Sequence, residues 1–120
     1  MKISPHVNIY KFPLTAISSI TNRISGLYLT GAFIGGGIVL GSGQKDFAVK
    51  KYDNLENYQK KLLNYSLIIP STYHTLGGIR HFLWDHKPSL INNKFAYRSS
   101  AAIFGLSLTL PFFIERMICK

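Results

Sequence analysis

The sequence predicts an all-α membrane protein with three transmembrane helices, and two features of the charge distribution support this fold. The 120-residue chain contains three runs with few or no charged side chains, at about 24–44, 62–84 and 96–117. Nearly all of the Lys, Arg, Asp and Glu residues lie between these runs or at their ends. A transmembrane helix needs roughly 20 mostly apolar residues. Residues 1–120 are therefore expected to form a single membrane domain.

An interfacial arm at 1–13 is expected to precede the first helix. Pro13 suits the first turn of that helix, where its missing N–H leaves no hydrogen bond unmade. The Gly-Ser-Gly sequence at 41–43 is expected to end it. Within the run, Gly31 and Gly35 form a small-xxx-small pair, which allows another helix or a flat group to approach closely.

The second and third helices are predicted at 62–84 and 96–117. A polar loop at 44–61 is expected to connect the first helix to the second, and it carries no catalytic motif. The positively charged residues are balanced between the two sides of the predicted membrane, so they leave the orientation open.

The formal net charge of +9 does not by itself decide between a nucleic-acid-binding protein and a membrane protein. A nucleic-acid surface needs a clustered basic footprint, and here the Lys and Arg residues mark helix ends instead. Attraction to anionic membrane lipids explains the charge better, so no nucleic-acid partner is expected.

The middle helix carries a polar stripe. At about 100° per residue, His74, Gly78, His81 and Asp85 fall on one face, and Ser71 extends that face toward the N-terminus. Such a stripe on an apolar helix must face something other than lipid. An ionisable residue inside a membrane segment indicates a functional site.

His74 lies near the membrane midplane, about 15–18 Å from either end of the predicted span. A neutral imidazole at that depth needs a hydrogen-bonding side chain, a proton relay or a metal. Haem is the most economical functional interpretation, since imidazole is a common axial ligand. Gly77 and Gly78 would clear room for a flat macrocycle, and Arg80 and His81 could meet its propionates. The alternative is a histidine that only hydrogen-bonds to a neighbouring helix.

His81 lies about 10 Å further along the same helix and cannot reach the opposite face of one iron. A six-coordinate haem would therefore take its second histidine from another subunit, which predicts a hetero-oligomer. No Ser/His/Asp set, phosphate loop or pair of acids occurs in the spans. The chain is not expected to be catalytic alone.

Ser19 and Arg23 are i, i+4 neighbours at the start of the first span and share one helix face. Arg23 can act there as a polar functional group or simply as a membrane anchor whose guanidinium reaches the interface. The sequence leaves both interpretations open.

Several of these segments together resemble the cytochrome b membrane-anchor subunits of succinate dehydrogenase (respiratory complex II). The resemblance covers about a third of the chain, and the order and separation of the segments match. They are Ser4-Pro5-His6, the stretch 10–20, Arg23-Ile24-Ser25-Gly26, Tyr73-His74, Gly78-Ile79-Arg80-His81 and Asp85.

The resemblance implies particular roles for site residues. His74 matches the axial ligand of haem b, with Arg23, Gly78 and His81 also near the haem. The ubiquinone pocket is implied at Ser19, Ile20 and Arg23. Where the family commonly has a histidine before that arginine, this chain has Asn22.

The resemblance also implies an assembly. The chain would be half of a haem-binding heterodimeric anchor bundle, with a second small anchor subunit supplying the other axial histidine. A flavoprotein and an iron–sulfur subunit would dock on it at the mitochondrial inner membrane or, alternatively, the bacterial cytoplasmic membrane. The implied activity is succinate:ubiquinone oxidoreduction. A quinol:fumarate reductase anchor and a purely structural anchor without haem are the alternatives.

Overall fold

A computed structural model describes residues 13–118, except the side chain of Ile118. All of the secondary structure in this part of the chain is helical. In chain order it forms α1 (Leu14–Gly41), α2 (Lys45–Asp53), α3 (Asn57–His86), a short 3₁₀ turn (Pro88–Leu90) and α4 (Asn93–Ile118). Except for Pro13, the arm predicted at 1–13 lies outside the described residues.

Helix α1 has the ends that the sequence predicts. Pro13 precedes its first turn in an extended conformation, with φ −71° and ψ 149°. Gly41 is the last helical residue. Gly43 then adopts φ 75°, a left-handed conformation that glycine reaches without the Cβ clash of other residues.

The prediction of a wholly polar loop at 44–61 is wrong, because Lys45–Asp53 forms the short helix α2. Its charges complement the helix dipole: Asp46 lies in the first turn, and Lys50 and Lys51 lie in the last. The loop was predicted because residues 44–61 are polar, and that prediction did not consider how the charges are arranged along a helix.

Helix α3 is longer than predicted, running from Asn57 to His86 rather than over 62–84. The backbone N–H of Glu56 donates to the Gln59 side chain over 3.2 Å, which is one half of a capping box and fixes the start. Helix α4 likewise begins three residues before its predicted span.

Two of the described helices, Leu14–Gly41 and Asn93–Met117, are long and apolar enough to cross a membrane. Helix α3 has 30 residues, so it extends about 45 Å and exceeds a hydrocarbon core of roughly 30 Å. Its polar residues, among them Asn64, Ser71 and His74, lower its apolar content. By composition, the described chain therefore has two candidate spans.

The interior of the bundle consists mostly of small and polar side chains. Helix α3 packs against both α1 and α4. The large side chain at the centre is Tyr73, which is 4% exposed and packs on the Phe104 ring at 5.1 Å between centroids. The small buried side chains around it are Ser18, Ser25, Ser100 and Ser107.

The exterior of the bundle is apolar. Leu27, Phe33, Ile38 and Phe113 are each more than 60% exposed, and many other large apolar side chains also lie on the surface. Small residues inside and large apolar residues outside are typical of helices packed in lipid, where apolar burial between helices adds little.

Helices α1 and α3 lie close together at Gly77. A Cβ placed there would lie 2.4 Å from the Asn22 side-chain oxygen. The pair Gly31 and Gly35, which the sequence suggested for close packing, has no neighbour within 4 Å of such a Cβ. Within the described chain, the contact therefore lies further toward the N-terminus of α1 than the small-xxx-small pattern indicated.

We expect Tyr73→Phe to destabilise the bundle. The Tyr73 hydroxyl is buried and lies 3.0 Å from both the carbonyl and the hydroxyl oxygen of Ser18, joining α3 to α1. Removing it should cost about 1–2 kcal/mol and lower the thermal midpoint in detergent by several degrees. The matched control is Tyr28→Phe, whose exposed hydroxyl lies 3.3 Å from Ser66 Oγ. Equal midpoints for the two variants would contradict the prediction.

Candidate functional site

The imidazole of His74 is held against α1 through one of its two nitrogens. Nδ1 lies 3.1 Å from the backbone carbonyl oxygen of Asn22. A carbonyl can only accept, so this contact assigns the proton to Nδ1. The other nitrogen, Nε2, is then unprotonated and keeps its lone pair. Because His74 is exposed on the bundle surface, that lone pair is available to a ligand outside this chain.

Two further residues of α1 complete the support of this ring. Ser25 is 7% exposed, and its hydroxyl donates to the same Asn22 carbonyl over 2.8 Å and lies 3.4 Å from His74 Nδ1. Gly26 lies directly against the ring, since a Cβ there would be 2.8 Å from His74 Cε1. Any larger residue at Gly26 would have to displace the imidazole.

The predicted polar stripe lies on the outer surface of the bundle. His74, Gly78, His81 and Asp85 are all exposed, and so is Ser71. A Cβ at Gly78 would meet nothing within 4 Å, so the surface one turn from His74 is open. The stripe thus offers an imidazole beside a flat clearing, with a second imidazole two turns away.

Of the two residues that the sequence offered for propionates, only His81 lies on this stripe. Its ring packs edge-on against Trp84, 5.8 Å between centroids. Arg80 is 7% exposed, and its Nη1 donates to Ser100 Oγ on α4 over 2.8 Å. Arg80 therefore lies on a different face of α3 from His74, because six residues place it about 120° away around the helix.

The three residues predicted for a quinone lie on the first turns of α1. Ser19 is half-buried, Arg23 is exposed and Ile20 is 43% exposed. Within residues 13–118, the side chains of Ser19 and Arg23 form no hydrogen bond or ion pair. Among residues 13–118, their donors are therefore free for another group.

The register of α1 against α3 relates the two predicted sites. Asn22 lies against Gly77 and Gly26 against His74, so the two helices are antiparallel. Ser19 is seven residues before Gly26, on the same face of α1 and about 10 Å closer to its N-terminus. The predicted quinone residues therefore lie beside the part of α3 that runs from Gly77 toward His81.

Sequence reasoning missed the residues that hold His74 from the neighbouring helix. Asn22 contributes its backbone carbonyl, which no side-chain pattern reveals. Ser25 and Gly26 follow Arg23 in the motif that carries the family resemblance, and that placement was the available signal. Together with His74 they form a site that can present an oriented, unprotonated Nε2 to a metal or a proton donor.

Comparison with known families identifies the family to which this chain belongs. The family model described as the succinate dehydrogenase/fumarate reductase transmembrane subunit matches residues 1–114. This match covers all of the stripe, the support on α1 and nearly all of α4.

Individual relatives agree with the family match. The succinate dehydrogenase cytochrome b560 subunit of Porphyra purpurea is 29% identical over 92% of this chain and 91% of its own length. The mitochondrial cytochrome B subunit of Schizosaccharomyces pombe is 33% identical over 88% of this chain and 62% of its own. The mitochondrial succinate dehydrogenase cytochrome b560 subunit of Dictyostelium discoideum is 37% identical over 68% of this chain and 44% of its own length.

The chain spans about half the length of several relatives that it matches, since the matched share is 44% for the Dictyostelium protein and 52% for the Mus musculus b560 subunit. The family match nevertheless extends over nearly the whole chain. The sequence-based identification is thus confirmed: the chain belongs to the family of succinate dehydrogenase/fumarate reductase transmembrane subunits.

Proposed function

We propose that this chain is a membrane-anchor subunit of succinate:ubiquinone oxidoreductase that helps bind haem b and ubiquinone. The observation that carries the proposal is the geometry of His74. Its Nδ1 is tied to the Asn22 carbonyl, and its Nε2 is left free on an exposed face. The relatives above carry succinate dehydrogenase names, which favours succinate oxidation over fumarate reduction.

The residues present fit a haem. A metal-ligating histidine commonly donates its second ring N–H to a carbonyl, which fixes both the tautomer and the ring plane. His74 has this partner in Asn22, and Gly78 leaves the adjoining surface open. When bound at this site, haem b would act as a one-electron carrier. His74 would be its axial ligand, and Arg23 and His81 are the cations proposed near its propionates.

Because this chain would supply one imidazole to the haem iron, a second histidine ligand would come from another subunit. The exposed stripe would face a second small membrane anchor, so that the two anchors form a heterodimeric bundle around the haem. A flavoprotein and an iron–sulfur subunit complete the proposed complex. The mitochondrial names of the Dictyostelium and S. pombe relatives support the mitochondrial inner membrane as its location.

The quinone site is proposed at Ser19, Ile20 and Arg23. Reduction of a quinone builds negative charge on its carbonyl oxygens, and donors already oriented toward those oxygens lower the barrier. The Ser19 hydroxyl and the Arg23 guanidinium are such donors, and neither has a partner among the described residues. Ile20 would supply an apolar wall against the ring.

Helix α3 is proposed as the third transmembrane span, between α1 and α4. Its length is sufficient, and its buried face carries Tyr73 and Gly77, which pack between the two more apolar helices. The exposed polar stripe would be covered by the second anchor and the haem, which removes the objection that its residues are too polar for lipid.

This topology predicts that the two ends of α3 lie on opposite sides of the membrane. The test introduces Lys61→Cys or Lys87→Cys in a Cys119→Ser background, followed by labelling with a membrane-impermeant maleimide in mitoplasts and in inverted vesicles. Each cysteine should react in only one preparation, and the two should differ. Ser42→Cys, after α1, is the control and should label with Lys61→Cys. Labelling of all three from one side would refute a spanning α3.

We expect His74→Ala to remove the axial ligand and His81→Ala to leave it in place. The measurement is the reduced-minus-oxidised visible spectrum of the purified complex. The low-spin haem signature should be lost or shifted in His74→Ala and retained in His81→Ala. Added imidazole should partly restore it in His74→Ala, because the substitution leaves a space of the size of the lost ring.

Comparing His74→Ala with His81→Ala also distinguishes loss of the haem ligand from loss of assembly of the complex. Both variants should retain the flavoprotein and iron–sulfur subunits on a native gel, because neither ring is buried within the bundle. An unchanged spectrum in assembled His74→Ala, or loss of the signature in His81→Ala alone, would be incompatible with the assignment.

Arg23→Leu should reduce quinone-dependent succinate oxidation by about ten- to a hundredfold, since a charged donor is worth more than a neutral one. Ser19→Ala should reduce it by about two- to tenfold. Succinate oxidation with an artificial acceptor that bypasses the quinone should survive both changes, because the flavin is bound by another subunit.

The anchoring interpretation of Arg23 makes a different prediction. It requires only a long cationic side chain, so Arg23→Lys would be harmless and Arg23→Leu would affect insertion rather than turnover. An assembled Arg23→Leu complex with full quinone reductase activity would support anchoring and end the site assignment.

A further inference from the structure

Ser25 lies beside the hydrogen bond that orients His74. Its side chain is 7% exposed at the contact between α1 and α3. Its hydroxyl donates to the Asn22 carbonyl oxygen over 2.8 Å. The same oxygen lies 3.1 Å from His74 Nδ1, whose N–H also donates to it. Two side chains from different helices therefore share one acceptor.

The Asn22 carbonyl is an acceptor with more donors than lone pairs. A carbonyl oxygen has two lone pairs. Because Asn22 lies inside α1, its oxygen also takes part in the helical hydrogen bond from the backbone N–H four residues later, at Gly26. Ser25 and His74 add a second and a third donor. Each donor draws electron density from the oxygen, so each of these bonds weakens the others.

The distances rank the two side-chain donors. The Ser25 contact at 2.8 Å has the ordinary length of an O–H···O bond, whereas the His74 contact at 3.1 Å is toward the long end for N–H···O. Ser25 Oγ and His74 Nδ1 are themselves 3.4 Å apart, which is too long for a second strong bond. Ser25 therefore acts on His74 mainly as a competitor for the carbonyl, and only weakly as an acceptor for its N–H.

A groove beside Ser25 leaves room to vary its side chain. The groove has a volume of about 370 Å³ between α1, α3 and α4, and its lining includes Ser25, Ile24, Phe104 and Leu108. Walls that are mostly apolar offer water few hydrogen-bond partners, so a water is not expected to replace a lost hydroxyl. The same space can receive one additional methyl group.

The hydrogen bond at Nδ1 affects how strongly Nε2 can bind a metal. A stronger bond at Nδ1 places more negative charge on the imidazole, which makes Nε2 a better electron donor. A better axial donor stabilises ferric iron relative to ferrous iron and lowers the reduction potential of a haem. Hydrogen bonding to the axial ligand is one of the means by which a protein sets that potential.

We propose that Ser25 is a positioning residue for His74. By sharing the Asn22 carbonyl, its hydroxyl weakens the hydrogen bond at Nδ1, limits the donor strength of Nε2 and keeps the haem easier to reduce. The inference rests on the proposed axial role of His74. It adds a residue of α1 that acts on the haem through His74 without contacting the iron.

The test is an equilibrium redox titration of the purified complex, followed by the haem absorbance. Ser25→Ala frees the Asn22 carbonyl for His74, so the midpoint potential should fall. We expect the equilibrium constant for haem reduction to fall about three- to tenfold, which corresponds to about 30–60 mV for one electron. The electron paramagnetic resonance spectrum of the ferric haem should shift in the same variant, because the axial ligand field changes.

Two further substitutions at Ser25 grade the effect. Ser25→Thr retains a hydroxyl that can donate to the same carbonyl, so it should keep the wild-type potential. Ser25→Cys retains a similar size with a weaker donor, so the potential should fall part of the way. Ser25→Cys also stays informative if Ser25→Ala does not assemble.

Ser107→Ala is the matched control. Ser107 is 2% exposed, lines the same groove and donates to a carbonyl of its own helix, that of Phe104, over 2.9 Å. The substitution removes the same kind of buried bond as Ser25→Ala. Because that bond involves neither Asn22 nor His74, the haem potential should stay at the wild-type value.

Failure of this inference can be told from failure of the proposed haem site. An unchanged haem spectrum in assembled His74→Ala would overturn both. If His74→Ala loses the axial signature, an unchanged or raised potential in Ser25→Ala would overturn the inference alone. An equal fall in Ser107→Ala or in Ser25→Thr would also overturn it, since Ser25 would then act through packing rather than through the shared carbonyl.

Discussion

The close approach of α1 to α3 determines how this chain presents its candidate site. It occurs where Gly26 lies against the His74 ring and Gly77 lies against the Asn22 side chain. At this contact, the Asn22 carbonyl reaches His74 Nδ1 and fixes the tautomer. A side chain at either glycine would have to displace the groups that orient the imidazole. Packing and chemistry therefore depend on the same two positions.

The bundle is held together by contacts that suit lipid rather than water. Its interior is lined by serines and glycine around Tyr73, and large aliphatic and aromatic residues lie outside. In water, exposing so much apolar surface would be costly, whereas in a bilayer it is neutral. Hydrogen bonds such as those between Tyr73 and Ser18 then contribute relatively more, because unfolding within lipid offers them few substitutes.

The sequence predicted features that depend on local chemistry. The end of α1 at 41–43 follows from glycine, and the exposed stripe of His74, Gly78 and His81 follows from helical periodicity. Helix α2 was missed because polarity was taken as evidence for a loop, although its charges suit a helix. His74 was chosen as a site residue because it lies near the predicted membrane midplane and on the polar stripe. Its role as a haem ligand stays a prediction.

Features that depend on how two helices meet were not predictable in the same way. Gly31 and Gly35 have the spacing of a packing motif, yet the contact uses Gly26 and Gly77, which lie on different helices. The backbone carbonyl of Asn22 is equally invisible in a side-chain pattern. Helical periodicity places Arg80 on a different face of α3 from His74, but its burial against Ser100 depends on the position of α4.

Helix α3 thus serves two environments with two faces. One face carries Tyr73, Gly77 and Arg80 and is buried against α1 and α4. The other carries His74, Gly78 and His81 and is open. Because one face packs against helices of this chain and the other carries the exposed polar stripe, α3 cannot be as uniformly apolar as a lipid-facing helix. This division explains why composition alone does not identify α3, which carries the proposed haem-binding histidines, as a membrane span.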